Sequence, residues 1–413
     1  YAGSQMQEGN ILAGLVSMDP TGNTDPKIVK QSIIRLTLHE VGHTLGLNHN
    51  FKASYLHDPI SIHDSEITQK MGVTASVMEY PAVNLAPLGI KQGDYYDVVT
   101  GAYDNWAIEF GYRSNLTTEE REKILFRSDE PELIFGNDAD DMRSPGKGID
   151  PRAMTNDLTN DPITYAEQRI ELVNQTFEDL PTKLKAKSWE EFENAYKTLF
   201  RESGRSLQTA SRYIGGVYVN RSTPNQNSEL VPFEPVPDEI QRRAMRVLSD
   251  HAFSPSAFPV SQEVLTIIQK ERRGFDFGGE HEDPQIHRDI LKIQSSVLAH
   301  LLNGWTLDRI ADSSFYGNTY STLEMVTDLT NAIFLEDINS SVSTVRQNLQ
   351  TLYVRRLLKL IDDKPPYQMT TAAAYSSLKN IEKIAKKRSQ DPETQAHREF
   401  LLWLITFALD QGK

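Results

Sequence analysis

The stretch HEVGHTLGLNH, His39 to His49, constrains this chain more than any other part of it. Asp25 followed by Pro26 reads as an N-cap with proline at the first helical position. Val29, Ile33, Leu36 and the pair Ile34 and Leu38 then keep helical spacing up to the histidines. His39 and His43 are four apart, so on a helix their imidazoles stand one turn above each other and both reach one ion. Glu40 projects ~100° around the axis from His39, where it approaches a water on that ion without being a ligand. Gly46 is the expected stop of the helix, because glycine accepts the left-handed conformation, and the turn it permits brings His49 back as a third ligand. Three nitrogens with an open fourth position describe a catalytic zinc site, whereas a structural site is usually closed by four protein ligands. Two histidines four apart can also be plain surface residues; the added Gly46 and His49 favour metal binding.

Composition limits how such a site is built. The 413 residues contain no cysteine, so there are no disulfides, and a bound metal must rely on His, Asp, Glu or Tyr. A formal charge of -14 argues against a general binder of nucleic acid or anionic membrane. With 38% hydrophobic and 24% charged residues the composition is that of a globular protein long enough for two or three domains. The run FLLWLITFAL, Phe400 to Leu409, falls short of the ~20 residues needed to cross a bilayer and reads as a buried helix. The chain starts without Met and without a basic segment followed by an apolar one, so Tyr1 is not expected to be the true beginning.

The pattern changes along the chain and predicts an α+β fold. Residues 1–113 combine a strand-like run, NILAGLVSM (Asn10 to Met18), with the histidine-bearing helix, an irregular stretch and a second helix. Residues 114–160 form a connecting segment. Within it and just beyond, Phe135 to Pro162 is rich in Asp, Asn, Gly and Pro; its carboxylates offer oxygen ligands to calcium but lack the spacing of a calcium loop, and a solvated acidic loop is the expected reading. Residues 161–413 read as mainly helical, with helices expected over Pro162–Leu180, Ser188–Ser206, Pro237–His251, Pro284–Leu302, Ser321–Phe334, Val342–Leu360, Thr370–Lys387 and Pro392–Asp410. RYIGGVYVN, Arg212 to Asn220, reads as a strand or hairpin arm inside that region.

HEVGHTLGLNH matches the HExxHxxGxxH signature of the metzincin metallopeptidases. SVMEY, Ser76 to Tyr80, looks like the Met-turn of that clan, which places a methionine, here Met78, beneath the zinc. Its S-x-M-x-Y form is similar to the astacin and serralysin branches, which implies that Tyr80 is a fifth zinc ligand able to swing away and bind the reacting carbonyl. YDNWAIEFGY, Tyr103 to Tyr112, resembles the helix that follows the Met-turn, although Trp106, Ile108 and Phe110 account for it by packing alone. The longer context looks most like the large bacterial met-zincin family of zinc-dependent metalloproteases, which implies an exported protein, periplasmic or on the surface of a Gram-negative bacterium. Metzincin domains carry a sheet of about five strands before this helix. Only residues 1–24 precede it here, so the remaining strands are expected in an upstream segment.

Three functions follow from these residues. The first is a zinc endopeptidase acting on protein or peptide substrates, with His39, His43 and His49 as ligands, Glu40 as general base and Tyr80 assisting. The second is a metzincin-fold binding or scaffold protein that has lost activity, and the third a zinc hydrolase of a non-peptide bond. An intact Glu40 argues for the first, since a binding protein needs no general base. His57 and His63, each followed by Asp, are expected to be solvated loop residues and not a second metal site or substrate subsite.

Overall fold

The computed structural model describes residues 2–19, 22–140, 144–226, 229–259, 261–270, 281–363 and 367–411. Tyr1 and residues 141–143 of the acidic segment lie outside them.

The run expected to be a strand is instead the end of a helix, α1 (Ala2–Val16). Leu12 and Ala13 are buried, with Leu15 and Val16 packed beside them. A short apolar run fits a buried helix turn as well as a strand, and here its neighbours are helices α2, α6 and α7, not a sheet edge. The next helix, α2 (Lys27–Thr44), carries His39 and His43; Lys27 donates its N–H to Asp25 Oδ1 at 2.9 Å, so Asp25 caps it as expected. Its buried face is not the apolar one. Val29 and Ile33 are 58% and 57% exposed, while Ile28, Gln31, Ser32, Arg35, His39 and Gly42 point inward. The polar members of that face are matched. Gln31 donates to Asp94 Oδ1 at 2.7 Å and accepts from the Tyr95 N–H at 2.7 Å, and Arg35 donates to the Glu79 carbonyl.

Three shorter helices follow, α3 (Ser65–Met71), α4 (Ala102–Tyr112) and α5 (Thr118–Phe126). After an irregular passage come α6 (Pro162–Lys183) and α7 (Trp189–Arg212), which pack along each other. The hairpin read from the sequence is present: β1 (Val217–Val219) pairs antiparallel with β2 (Phe233–Pro235), Val217 opposite Pro235. Eight helices complete the described chain: α8 (Asp238–Leu248), α9 (Gln262–Ile267), α10 (Ile286–Leu301), α11 (Gly304–Ser313), α12 (Thr322–Phe334), α13 (Thr344–Asp362), α14 (Gln368–Ala385) and α15 (Pro392–Gln411). Several start where a side chain satisfies a free backbone N–H: Asp161 for α6, Ser188 for α7, Ser321 for α12 and Ser343 for α13. The protein is therefore mostly helical. The hairpin is the one sheet among the described residues, and no described strand precedes α2.

One apolar core runs from Leu12 on α1 through Leu199 and Leu207 on α7 and Leu298 on α10 to Leu357 on α13 and Ile405 on α15. Near the histidines apolar packing shrinks to Phe51 with Tyr80 and a small group around Ile62 and Leu158. The run on α15 is not a buried helix. Leu401 and Ile405, four apart, face the core, whereas Phe400, Trp403 and Phe407 stack along the outer face with ring centroids 5.9 and 5.6 Å apart. Among the described residues no helix is long and apolar enough to cross a membrane.

Carboxylates of the acidic segment are taken up by protein groups, which leaves calcium without support. Asp140 pairs with Arg221, Asp150 with Lys52 and Arg152, Asp157 accepts from Ser54, and Asp161 caps α6 and pairs with Arg243. The solvated loop is corrected at the same positions, since Asp150 and Asp157 are buried.

Replacing Leu207 by Ala removes a fully buried side chain from the main core and is expected to cost about 2–5 kcal/mol. A fall in the urea midpoint at unchanged slope measures it.

Candidate metal centre

α2 ends in a turn that returns the chain. Gly46 takes φ +85°, its N–H donates to the His43 carbonyl at 3.0 Å, and the Leu47 N–H reaches back to the Gly42 carbonyl at 3.1 Å. A side-chain-bearing residue adopts that φ only with strain, which is why glycine stands there. The reversal sets the His49 ring 5.5 Å from that of His39 and 4.9 Å from that of His43.

Each imidazole is held at Nδ1. His39 donates to the Val77 carbonyl at 2.8 Å, His43 to the Leu47 carbonyl at 3.1 Å and His49 to Asp138 Oδ2 at 2.8 Å. Two of these partners are carbonyl oxygens, which only accept, and a carboxylate does the same, so the ring proton sits on Nδ1 and the lone pair on Nε2. The Nε2 atoms of His39 and His49 are buried and have no protein partner. One ligand atom from each of the three histidines lies within 4.8 Å of the other two, and no other such group of three His, Asp or Glu residues occurs among the described residues. Burial, and then the charge of Arg35, lower the His39 pKa to about 4, which keeps this ring neutral at neutral pH. Three imidazoles held at Nδ1, with no fourth protein ligand among the described residues, fit a zinc ion with an open position.

The turn beneath the rings is built by hydrogen bonds. Asp104, in the first turn of α4, accepts from Ser76 Oγ at 2.6 Å, from the Val77 N–H at 2.9 Å and from the Gly101 N–H at 2.8 Å. It thereby fixes the carbonyl that orients His39. The Asn50 N–H donates to the Met78 carbonyl at 3.1 Å and ties the residue after His49 to the same turn. Met78 is fully buried, and its sulfur lies where a Cβ on Gly42 would stand, so only glycine at 42 lets the helix come this close. Glu79 points away from the rings and accepts from the Ser54 and Tyr80 N–H groups at 3.1 and 2.8 Å. Burial first, and the nearby Asp157 second, push its carboxyl well above the usual range. Tyr80 is buried too, with its ring 5.1 Å from that of His39 and 4.8 Å from that of His49, stacked on Phe51. Glu40, next to His39, is exposed, as is His43, so the open side of the centre faces solvent.

Thus all of His39, His43, His49, Met78 and Tyr80 are brought to one place, with Gly46 making the turn and Glu40 at the rim. His57 and His63 are not. Both are buried, against the expectation of solvated loop residues: His57 donates Nε2–H to the Gly72 carbonyl at 2.9 Å, and burial and Arg169 lower His63 to about 4. The irregular loop between the helices folds inward over them, and neither joins a metal cluster among the described residues. Sequence reasoning missed Asp104 and Asp138. Asp104 had a signal, the D-x-x-A-I pattern, to which only a packing role was given; Asp138, one aspartate in an acidic stretch, had none.

Three imidazoles from one helix and the turn after it, seated over the buried Met78, form a group that could hold a metal ion. The family described as Met-zincin matches residues 21–341, and the chain belongs to that family. No curated protein and no solved structure matches it.

Asp138 holds the His49 ring in orientation at 2.8 Å, so Asp138→Asn is expected to weaken zinc binding ~10- to 100-fold. His49→Ala is expected to weaken it further, with helix content unchanged. Equilibrium dialysis with circular dichroism checks both; equal affinity in Asp138→Asn and the parent would leave the contact without a role.

Proposed function

We propose that the chain is a zinc-dependent endopeptidase. The observation that carries this reading is the convergence of three Nδ1-anchored imidazoles on one point while Glu40 stays exposed beside it. Zinc held by His39, His43 and His49 would supply a Lewis acid for a peptide carbonyl and a water molecule. Glu40, on the same helix but turned away from the ligand face, accepts the proton of that water and passes it to the departing amine. The buried polar turn holds the ligands in place before substrate arrives, which is the preorganisation that such chemistry needs. Tyr80 lies against two ligand rings, and its hydroxyl is the candidate donor to the oxygen that gains charge as the carbonyl is attacked. The intact, exposed Glu40 favours this reading over a scaffold.

Glu40→Gln keeps shape and removes the base. Zinc content is expected to stay near one per chain while turnover of a peptide library falls by at least ~10²- to 10⁴-fold. Loss of zinc instead would make Glu40 a ligand, and a zinc-loaded parent that cuts no peptide would favour a scaffold or a different hydrolase. Tyr80→Phe is expected to lower kcat ~10- to 1000-fold with little change in KM. Unchanged kcat would reduce Tyr80 to a packing residue.

A further inference from the structure

Arg35 lies one turn before His39 on the inward face of α2 and is only 4% exposed. The two carboxyls that act on its charge most, Asp97 and Glu79, are engaged elsewhere. Asp97 accepts from the Val73 N–H at 2.6 Å and from the Thr74 N–H and hydroxyl, each at 3.0 Å, while Glu79 accepts from the Ser54 and Tyr80 N–H groups. Among the described residues no carboxylate forms an ion pair with Arg35. Burial lowers its pKa, yet a guanidinium keeps its proton at neutral pH. A buried cation without a paired carboxylate is costly, and an apolar side chain of similar volume would fill this place more stably. The charge therefore calls for a role other than stability.

What the guanidinium meets is the turn under the metal centre. Nη2–H donates to the Glu79 carbonyl, and the guanidinium carbon stands 5.6 Å from the centroid of the Tyr80 ring, within reach of a cation–π contact. The backbone of Tyr80 is fixed on both sides: its N–H donates to Glu79 Oε1 at 2.8 Å, and its carbonyl accepts from the Asn156 N–H at 2.9 Å. Around its ring stand His39, His49 and Phe51, with centroids at 5.1, 4.8 and 5.7 Å, and Arg35. Of these four neighbours Arg35 alone carries a permanent charge. A positive charge against an aromatic ring draws electron density from it, which makes the hydroxyl on that ring a stronger hydrogen-bond donor. Burial keeps water from screening the effect.

We propose that Arg35 is a positioning residue for Tyr80: bound to the Glu79 carbonyl, it holds the ring against the ligand imidazoles and strengthens its hydroxyl as a donor to the oxygen that gains charge. The inference rests on the metallopeptidase reading above. Arg35→Met and, separately, Arg35→Gln remove the charge. On a peptide that the zinc-loaded parent cuts, kcat is expected to fall ~3- to 30-fold in both, with KM within about 2-fold of the parent. Arg35→Lys keeps the charge and is expected to recover most of kcat. In the Tyr80→Phe background the neutral substitutions are expected to change kcat by less than about 2-fold, because the hydroxyl through which Arg35 acts is gone.

Zinc affinity gives a readout without turnover and with the opposite sign. Arg35 is a cation one turn from His39 and its charge already acts on that ring, so neutralising it removes a repulsion from a bound metal ion. Competition with a chromophoric chelator is expected to show zinc held as tightly as in the parent, or up to ~10-fold more tightly, in Arg35→Met and Arg35→Gln. A residue that only filled space would loosen the ligands when replaced. Weaker zinc binding in both neutral variants, or loss of their fold by circular dichroism, would make Arg35 a packing residue and overturn the proposal. So would an equal fall of kcat with and without the Tyr80 hydroxyl, an Arg35→Lys no better than Arg35→Met, or a Tyr80→Phe with unchanged kcat; each of these keeps the metallopeptidase. A zinc-loaded parent that cuts no peptide would overturn the metallopeptidase reading and this role with it.

Discussion

Each histidine of the metal centre gives its Nδ1 proton to an oxygen of the protein, and the arrangement of the surrounding chain follows from where those three oxygens must be. The Leu47 carbonyl is supplied locally by the glycine turn. The Val77 carbonyl requires the methionine turn to lie under the helix, which in turn requires Gly42 and the Asp104 carboxylate. The Asp138 carboxylate requires the passage after α5 to run alongside the residues following His49. The placement of the three rings thus depends on segments far apart in sequence.

The part of the chain around the centre is held differently from the helical part. The large apolar core lies among the helices, whereas around the histidines buried polar groups dominate: Arg35 under α2, Asp94 with Gln31, Asp97 with the Thr74 N–H and hydroxyl, Asp104 with the turn. A satisfied hydrogen bond adds only ~1 kcal/mol net, but leaving one of these groups without its partner costs ~1–3 kcal/mol. Such a network resists partial rearrangement more than it adds stability. That suits a site whose ligand nitrogens must stay convergent in the absence of a covalent staple, in a chain without cysteine.

What could be read from the sequence was local. His39, His43, Gly46 and His49 sit within eleven residues, and helical spacing plus one glycine turn place them correctly without any knowledge of the rest. The helices α6, α7, α12, α13 and α15 were legible for the same reason, since periodicity and an Asp, Ser or Pro at the start mark them, and α14 by periodicity, although α7 runs on to Arg212. What failed depended on which face meets what. The apolar spacing of α2 does not mark its inner face, which carries Gln31, Ser32 and Arg35; the partners of Gln31 and Arg35 arrive from residues 94–95 and 79. The aromatic run of α15 looked buried because hydrophobicity alone does not reveal that the core accepts only one edge of it. The end of α1 at Asn10 to Val16 was obscured because its apolar run is short, and Asp138 by being unremarkable among its acidic neighbours.

The contact between His49 and Asp138 joins residues 89 positions apart. Two histidines on a helix offer a metal a weak, two-point hold that forms as soon as the helix does; the third becomes firm only when the loop bearing Asp138 has docked. An ion held by all three rings would bind the docked arrangement more tightly than the undocked one, and by mass action each would raise the population of the other. Metal occupancy would then be a measure of long-range order, with a ligand set that is contiguous in sequence reporting on the folding of a much longer stretch of chain.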